Sequence, residues 1–437
     1  MKTNQFILKI TVFVITAVFT FSVSIFGFAF YMESSTENTV NFTRGGHNNV
    51  EFKETVSQGK ILEKEKIIDL VKDYIDVFVK REKQDINPNE IMIDSNFLNL
   101  YDIEGNLFAY MISLLYEGKK IGYITIGVVE TNSKMYEIAF NGNIEKIKSF
   151  IDDKKGKIIF IPPMRYIIET KEGRYYEFQD GDESVVEITE DFKKSKNRIK
   201  EIYFNISKSE GKNQTIIKNV NSSGISINPL FVSDYTALVN STFGKFVPVY
   251  DGSNIFYGGN QEWYGTPRKF NGCGPVSAAN ITCYFAKKSE DIWGVLYSYS
   301  TLSKNDFTSH MSDLYSIIMP GTLGASFSDF VRGIESFSSY RGAPLKMVRD
   351  NSEFTLINTS TYLQRGLNSD SPVAILNMQP FGEYEYKAHW MTVTEYYRLS
   401  DGTRYVTVST WGERRVINYN EWFDSTRMYG GGLVYFK

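Results

Sequence analysis

Only two cysteines and three histidines occur among the 437 residues, and one cysteine has a setting that could do chemistry. Cys273 lies in NGCGPVSAANITCYFA, which runs from Asn271 to Ala286. Asn271-Gly272 is a turn signal, and the helix-compatible residues Ser277, Ala278, Ala279 and Asn280 follow. The pattern predicts a loop-to-helix junction with Cys273 in or just before the first turn. Pro275 suits a first-turn position, whose N–H has no intrahelical use. At such a junction the helix dipole and the free N–H groups favour a thiolate. The same N–H groups, that of Cys273 included, can face a developing oxyanion. Gly272 and Gly274 leave room for close approach.

Cys283 lies ten residues further on. Along a helix that separation is roughly 15 Å, whereas a disulfide tolerates at most about 7 Å between Cα atoms. The two cysteines are therefore expected not to pair. Cys283 reads as a small buried apolar residue, and Cys273 as a free, reactive thiol. A thiol nucleophile needs an imidazole. His389, in KAHWMTVTEYY, begins a run that alternates like a strand, after the buried-strand pattern Pro372 to Leu376. His310 falls in a polar helical stretch, KNDFTSHMSDLY, and is expected to be exposed. His47 lies in a polar tether. A third segment, YVTVSTWGERR, reads as a strand from Tyr405 to Val408 closed by Ser409-Thr410-Trp411-Gly412. Trp411 could cover a Cys–His pair or simply end a strand as a buried aromatic.

Composition removes several other chemistries. Lys plus Arg number 48 against 51 Asp plus Glu, so no global basic field exists to grip nucleic acid. Two cysteines exclude a disulfide scaffold and any multi-cysteine zinc or iron–sulfur site. No metal site and no organic cofactor is expected. At 42% apolar and 23% charged residues, the chain can bury real cores.

The elements that must hold these residues divide the chain into five parts. Lys2 and Lys9 precede an uncharged apolar run from Ile10 to Met32. Residues 1–32 read as a signal peptide or a membrane anchor, with everything after them outside the cytoplasm. Residues 33–59 form a polar tether. Residues 60–205 read as an α+β module. It comprises an amphipathic helix from Glu63 to Lys83 and then an antiparallel meander of strands from Phe108 to Phe178, turning at Glu117-Gly118, Asn141-Gly142 and Glu172-Gly173. This module has no Cys and no His, and its plain reading is binding or regulation. Residues 206–245 have linker composition, and 246–437 carry the Cys–His constellation. The sequons at Asn205 and Asn280 are assigned nothing, since Asn280 falls inside a predicted helix.

At these residues the sequence resembles the papain-like cysteine peptidases, and within them the branch similar to bacteriocin-processing (C39-like) peptidase domains. The resemblance rests on the GCGPVSAAN helix start, the His389-Trp390 strand and the downstream Trp411-Gly412, and covers roughly Asp251 to Lys437. It implies a nucleophile-bearing helix packed on an antiparallel sheet, Cys273 as nucleophile and His389 as general acid/base. Such peptidases orient the imidazole with an Asn or Asp after the His strand. By position this chain offers Ser409, with Thr410 beside it, while Glu395 and Glu413 are charged alternatives. The family's oxyanion-donating Gln corresponds to Gln261. The 60–205 module resembles, more loosely, the propeptides of secreted bacterial cysteine peptidases.

The function expected is thus an extracytoplasmic cysteine peptidase made as a zymogen and acting on peptide or protein substrates. Membrane contact would come through the N-terminal helix if it is uncleaved. Two alternatives stand beside this: a Cys-dependent acyl transferase, and a non-catalytic surface binding protein with a degenerate peptidase fold. The loops Leu302 to Gly342 and Phe381 to Tyr386 are the expected cleft walls.

Overall fold

The structure, a computed structural model, describes residues 60–437 apart from 83–85, 130–133, 141–143, 155, 163, 179–184, 198, 201–202, 204–229, 240–245, 322–323 and 379–387. The apolar run, the tether with His47, the Asn141-Gly142 turn, the Asn205 sequon and the 381–386 wall therefore lie outside the described residues. Among the described residues no helix is long and apolar enough to cross a membrane.

The fold is mixed α and β. Helix α1 (Lys64–Tyr74) runs on through one π turn, Ile75–Val79, and buries Ile67, Val71, Tyr74 and Phe78. Strands follow: β1 (Met92–Ile93), β2 (Leu98–Tyr101), β3 (Leu107–Tyr116), β4 (Lys119–Gly127) and β5 (Met135–Ala139). Glu117 and Gly118 turn β3 into β4 with φ of 49° and 73°, the two-residue primed turn that matches strand twist. The expected meander stops there. Helix α2 (Ile144–Lys154) intervenes, anchored by buried Ile144 and Ile147 one turn apart. It returns the chain so that β6 (Lys157–Ile161) lies parallel to β2, a pairing that only a crossover allows. Strands β7 (Arg165–Glu169), β8 (Tyr175–Phe178) and β9 (Val185–Glu187) then complete this end of the sheet.

Within the stretch expected to be linker, Val232–Ala237 is strand β10. A small hairpin follows, β11 (Pro248–Asp251) and β12 (Asn254–Tyr257). Helix α3 (Cys273–Lys288) comes next, then α4 (Lys304–Ile318), α5 (Phe327–Tyr340) and α6 (Leu356–Asn368). Strands β13 (Val373–Met378), β14 (Ala388–Leu399), β15 (Arg404–Thr410) and β16 (Glu413–Asn418), helix α7 (Tyr419–Tyr429) and β17 (Gly431–Val434) end the chain. Strand β14 is twelve residues long, enough to pair with β13 over its first half and β10 over its second, while β15 runs along its other edge.

The two sequence regions share one sheet. Its order is β17-β13-β14-β15-β16-β5-β4-β3-β2-β6-β7-β8-β9, with β1 on β3 and β10 on β14. The seam is the antiparallel pair β16·β5, where Arg415, Val416 and Ile417 face Ala139, Ile138 and Glu137. A common core closes over it. Ile67, Tyr74 and Phe78 of the N-terminal region pack in one cluster with Tyr397, Leu399, Tyr405 and Val416. The Phe78 ring meets Tyr397 and Tyr405 edge-on, each at 5.2 Å. All these elements belong to one compact unit, Val50–Arg349 with Thr355–Lys437.

Candidate active site

Helix α3 begins at Cys273, with Gly272 before it and no side-chain cap. The first helical bond runs from Val276 N–H to Gly272 O at 3.0 Å, so the N–H groups of Cys273 and Gly274 have no carbonyl a turn back. With the backbone of Trp390 on β14, both act to lower the Cys273 thiol toward its thiolate. Gly274 is required by the close approach of neighbours. A Cβ there would come within 2.7 Å of Ala325 Cβ and 3.3 Å of the Trp390 ring.

The imidazole comes from the start of β14, which lies against α3. Strand alternation sends successive side chains to opposite faces. The Trp390 side chain stacks on Phe330 at 3.9 Å and donates its indole N–H to Ala325 O at 2.9 Å. His389 reaches the cleft. Its Nε2 pairs with Thr410 Oγ1 at 2.7 Å, and its ring lies on Trp411 at 4.2 Å. Trp411 and Gly412 are the two central residues of the β15–β16 hairpin, with φ of 50° and 71°. A left-handed tryptophan costs of order 1–3 kcal/mol, and here it lays an aromatic face on the imidazole.

Loop 257–261 is pinned to this hairpin tip. Tyr257 N–H donates to Gly412 O at 2.8 Å, and Gly412 N–H to Gly259 O at 2.9 Å. That places Gln261 beside the site. It is buried in a short turn, Gln261–Trp263, capped by Asn260, and one of its amide hydrogens goes to Lys269 O at 3.0 Å. Gln261, Cys273, His389, Thr410 and Trp411 all line one small cleft of about 210 Å³ of free space, solvent at its mouth included.

The electrostatics differ from the thiolate expected of a helix start. Cys273 is only 6% exposed. Burial pushes its thiol up to about 11, against the three N–H groups that pull it down. Burial likewise holds the His389 imidazole down to about 3, aided by the positive charges of Arg415 and Arg165. The resting pair is a neutral thiol and a neutral imidazole. The backbone groups around the thiol lower it as expected, but desolvation outweighs them.

Of the residues singled out by sequence, Cys273, His389 and Gln261 come together in the cleft. Ser409 also lines it, but its hydroxyl donates to Tyr257 O and accepts from Asn280 Nδ2 at 3.1 Å. The imidazole's hydroxyl partner is its neighbour Thr410. Glu395 takes the hydroxyls of Tyr235, Tyr397 and Thr407, and Glu413 pairs with Arg415. His310 is not exposed as its polar helix suggested. It is 0% exposed, bonded to Thr282 Oγ1 at 2.9 Å and edge-on to Tyr297, because it lies on the buried face of α4 with Phe307, Met311 and Leu314. Cys283 is buried, and both cysteines are free. Among the described residues, no group of three His, Cys, Asp or Glu could hold a metal ion.

One residue of the site was passed over in the sequence. Asn280 accepts from Gly259 N–H at 2.9 Å and donates to Ser409, so it ties the loop and β15 to the nucleophile helix. Its spacing was the available signal. Cys273, Val276 or Ser277, and Asn280 recur at helical intervals on one face, and all line the cleft.

Comparison with known proteins adds no family to this geometry: no family model matches the chain, and no curated protein matches it.

Proposed function

We propose that the chain is a papain-like cysteine hydrolase that cleaves peptide or amide bonds. The observation that carries this reading is the meeting of Cys273, at a helix start, with His389 in one cleft, the imidazole held by Thr410 on its edge and Trp411 on its face. With Nε2 engaged by Thr410, Nδ1 is the nitrogen left to take a proton. As the Cys273 sulfur attacks a substrate carbonyl, His389 removes the thiol proton. Starting from a neutral pair, this proton moves during attack rather than before it. The developing oxyanion would meet the Cys273 N–H and the second amide hydrogen of Gln261. His389 then protonates the leaving amine, and water, activated by the same imidazole, releases the acid. On this reading the apolar run 10–32 would carry the enzyme out of the cytoplasm, to protein or peptide substrates.

A second reading, a binding protein on a degenerate peptidase frame, draws on the neutral pair and on a hydroxyl where a carboxylate or carboxamide is usual. Hydrolysis of an unfolded protein and of a mixed peptide set by the full chain separates the two. The hydrolase reading expects cleavage that disappears in Cys273→Ala and His389→Ala, with both variants still folded. Added amines would reveal acyl transfer as new amide product. A folded wild-type chain that cleaves and transfers nothing moves the conclusion to the binding protein.

A further inference from the structure

We infer that Glu137, on β5 of the N-terminal region, is a positioning residue of the Cys273–His389 site, acting through Arg415 and Trp411. The inference rests on the hydrolase reading for its meaning, but its geometry does not depend on it. Four groups touch in succession across the seam of the sheet. The Glu137 carboxylate receives Arg415 Nη1 at 2.7 Å, and both residues are 0% exposed. The guanidinium of Arg415 lies over the Trp411 ring, 5.4 Å from its centroid. The other principal contact of that ring is the His389 imidazole at 4.2 Å.

Each link has a physical reason to be there. Glu137 and Arg415 lie two residues out of register on the paired strands β5 and β16, the diagonal position on one face, so the sheet itself brings them together. The carboxylate is held in turn from its own side. Tyr166 donates to Oε2 at 2.7 Å and Tyr123 to Oε1 at 3.3 Å, while Tyr166 also pairs with Thr125 Oγ1 at 2.9 Å. Glu413 takes another edge of the guanidinium, through Nη2 at 2.6 Å and Nε at 3.1 Å. The guanidinium is thereby held by two carboxylates with its charge over the Trp411 ring, a cation–π contact. Trp411, in its left-handed turn, meets both the guanidinium and the imidazole. The charged groups that bear on His389 are therefore Arg415 from β16, paired with Glu137 and Glu413, and Arg165 from β7, paired with Glu177.

The consequence is a role for the 60–205 module other than that of a removable propeptide. Among the described residues, those lining the cleft all come from 261–411, so the N-terminal region does not plug it. It supplies the more deeply buried of the two carboxylates that hold Arg415. Detaching 60–203 would leave the buried arginine with Glu413 alone and expose the β16 edge. The region reads as part of the working enzyme.

The test uses the full chain with 15N-labelled histidine. Three histidines give few signals, and His389→Gln assigns the relevant one. The main variant is the double change Glu137→Gln with Arg415→Met, which removes both charges of the fully buried pair together and leaves only the partly exposed Glu413 carboxylate without its arginine. The milder variant, Tyr166→Phe, only loosens the carboxylate. The inference expects the double variant to raise the His389 titration midpoint and to lower kcat about tenfold or more with KM little changed, as lost positioning does. Tyr166→Phe should move both in the same direction by a smaller amount. A folded double variant whose His389 titration superimposes on the wild type overturns the inference. If the double variant does not fold, an unchanged His389 signal in Tyr166→Phe overturns it instead. The imidazole signal is read whether or not any substrate is cleaved. A shifted titration in a chain without hydrolysis would uphold the positioning and reject only the hydrolase.

Discussion

Trp411 lies flat on His389, with ring centroids 4.2 Å apart and planes 13° apart. A tryptophan with φ of 50° at a hairpin tip would normally be replaced by Gly or Asn. The strain is tolerated because the turn geometry aims the indole at the imidazole. The stack blocks one face of the ring, and the Thr410 hydroxyl fixes its edge, so rotation about the His389 side chain is closed off from two directions.

Trp411→Asn separates the turn from the stack. Asparagine accepts the left-handed conformation, so relief of about 1 kcal/mol of backbone strain should offset part of the lost ring packing. Thermal unfolding is expected to change little. Hydrolysis, or any reaction that needs His389 oriented, should fall about tenfold or more, as lost positioning of a catalytic group does. Equal loss of stability and activity would show that the tryptophan is packing alone.

The helix start at Cys273 was legible because its signals are local: Asn-Gly for the turn, Pro275 for the first turn, small residues after it. The strand at His389 was legible from alternation. Thr410 was not distinguishable from Ser409, since a period of two says that neighbours face opposite ways but not which one faces the imidazole. His310 was misplaced because its helix is polar by count, while Phe307, His310, Met311 and Leu314 share its buried stripe. The Glu137–Arg415 pair spans 278 residues and arises from the β5·β16 seam, which no local pattern announces. The thiolate expectation failed for the same reason. A dipole can be read from a helix start, whereas burial depends on everything packed around it.

The opposed shifts of Cys273 and His389 shape stability against pH. His389 is held down to about 3 from an ordinary 6.5, so below 6.5 the unfolded chain binds a proton that the folded one refuses. Stability is complete above about pH 6.5 and is lost as pH falls toward 3, at up to about 1.4 kcal/mol per pH unit for this group. His310 adds the same dependence. For Cys273, raised to about 11 from 9, the loss lies on the other side, as pH rises from 9 to 11. Denaturant unfolding of His389→Gln should show a shallower acid limb, and Cys273→Ser a shallower alkaline one. Unchanged slopes would mean that neither group is buried as described.

Asn280 should be the structural brace of the site. Asn280→Ala leaves the Gly259 N–H without its acceptor and Ser409 without its donor. Buried groups orphaned in this way cost about 1–3 kcal/mol each, though a cavity that takes up water lowers the sum. Urea unfolding is expected to show a lower midpoint with an unchanged slope. Asn280→Asp should be worse, because it puts a carboxylate beside the Ser409 oxygen while keeping the acceptor for Gly259. If Asn280→Asp is as stable as the wild type, the side chain is hydrated and not the brace described.

Thr410 and Ser409 are adjacent hydroxyls with different partners, and that difference can be measured. Thr410→Val keeps the shape and removes the group that pairs with His389 Nε2. The imidazole is then free to exchange tautomers, and Nδ1 is no longer reliably the basic nitrogen. Hydrolysis should drop about tenfold to a hundredfold, within the range general acid–base catalysis contributes, while the folding midpoint moves little. Thr410→Ser restores the hydroxyl and should restore most of the rate. Ser409→Ala should behave in the opposite way. It removes the bonds to Tyr257 and Asn280, costing roughly 1 kcal/mol of stability, with the chemistry near wild type. The contrast between the pair is the decisive quantity: if Ser409→Ala silences the enzyme and Thr410→Val does not, the imidazole is oriented by Ser409 during turnover and the resting Thr410 bond is not the productive one.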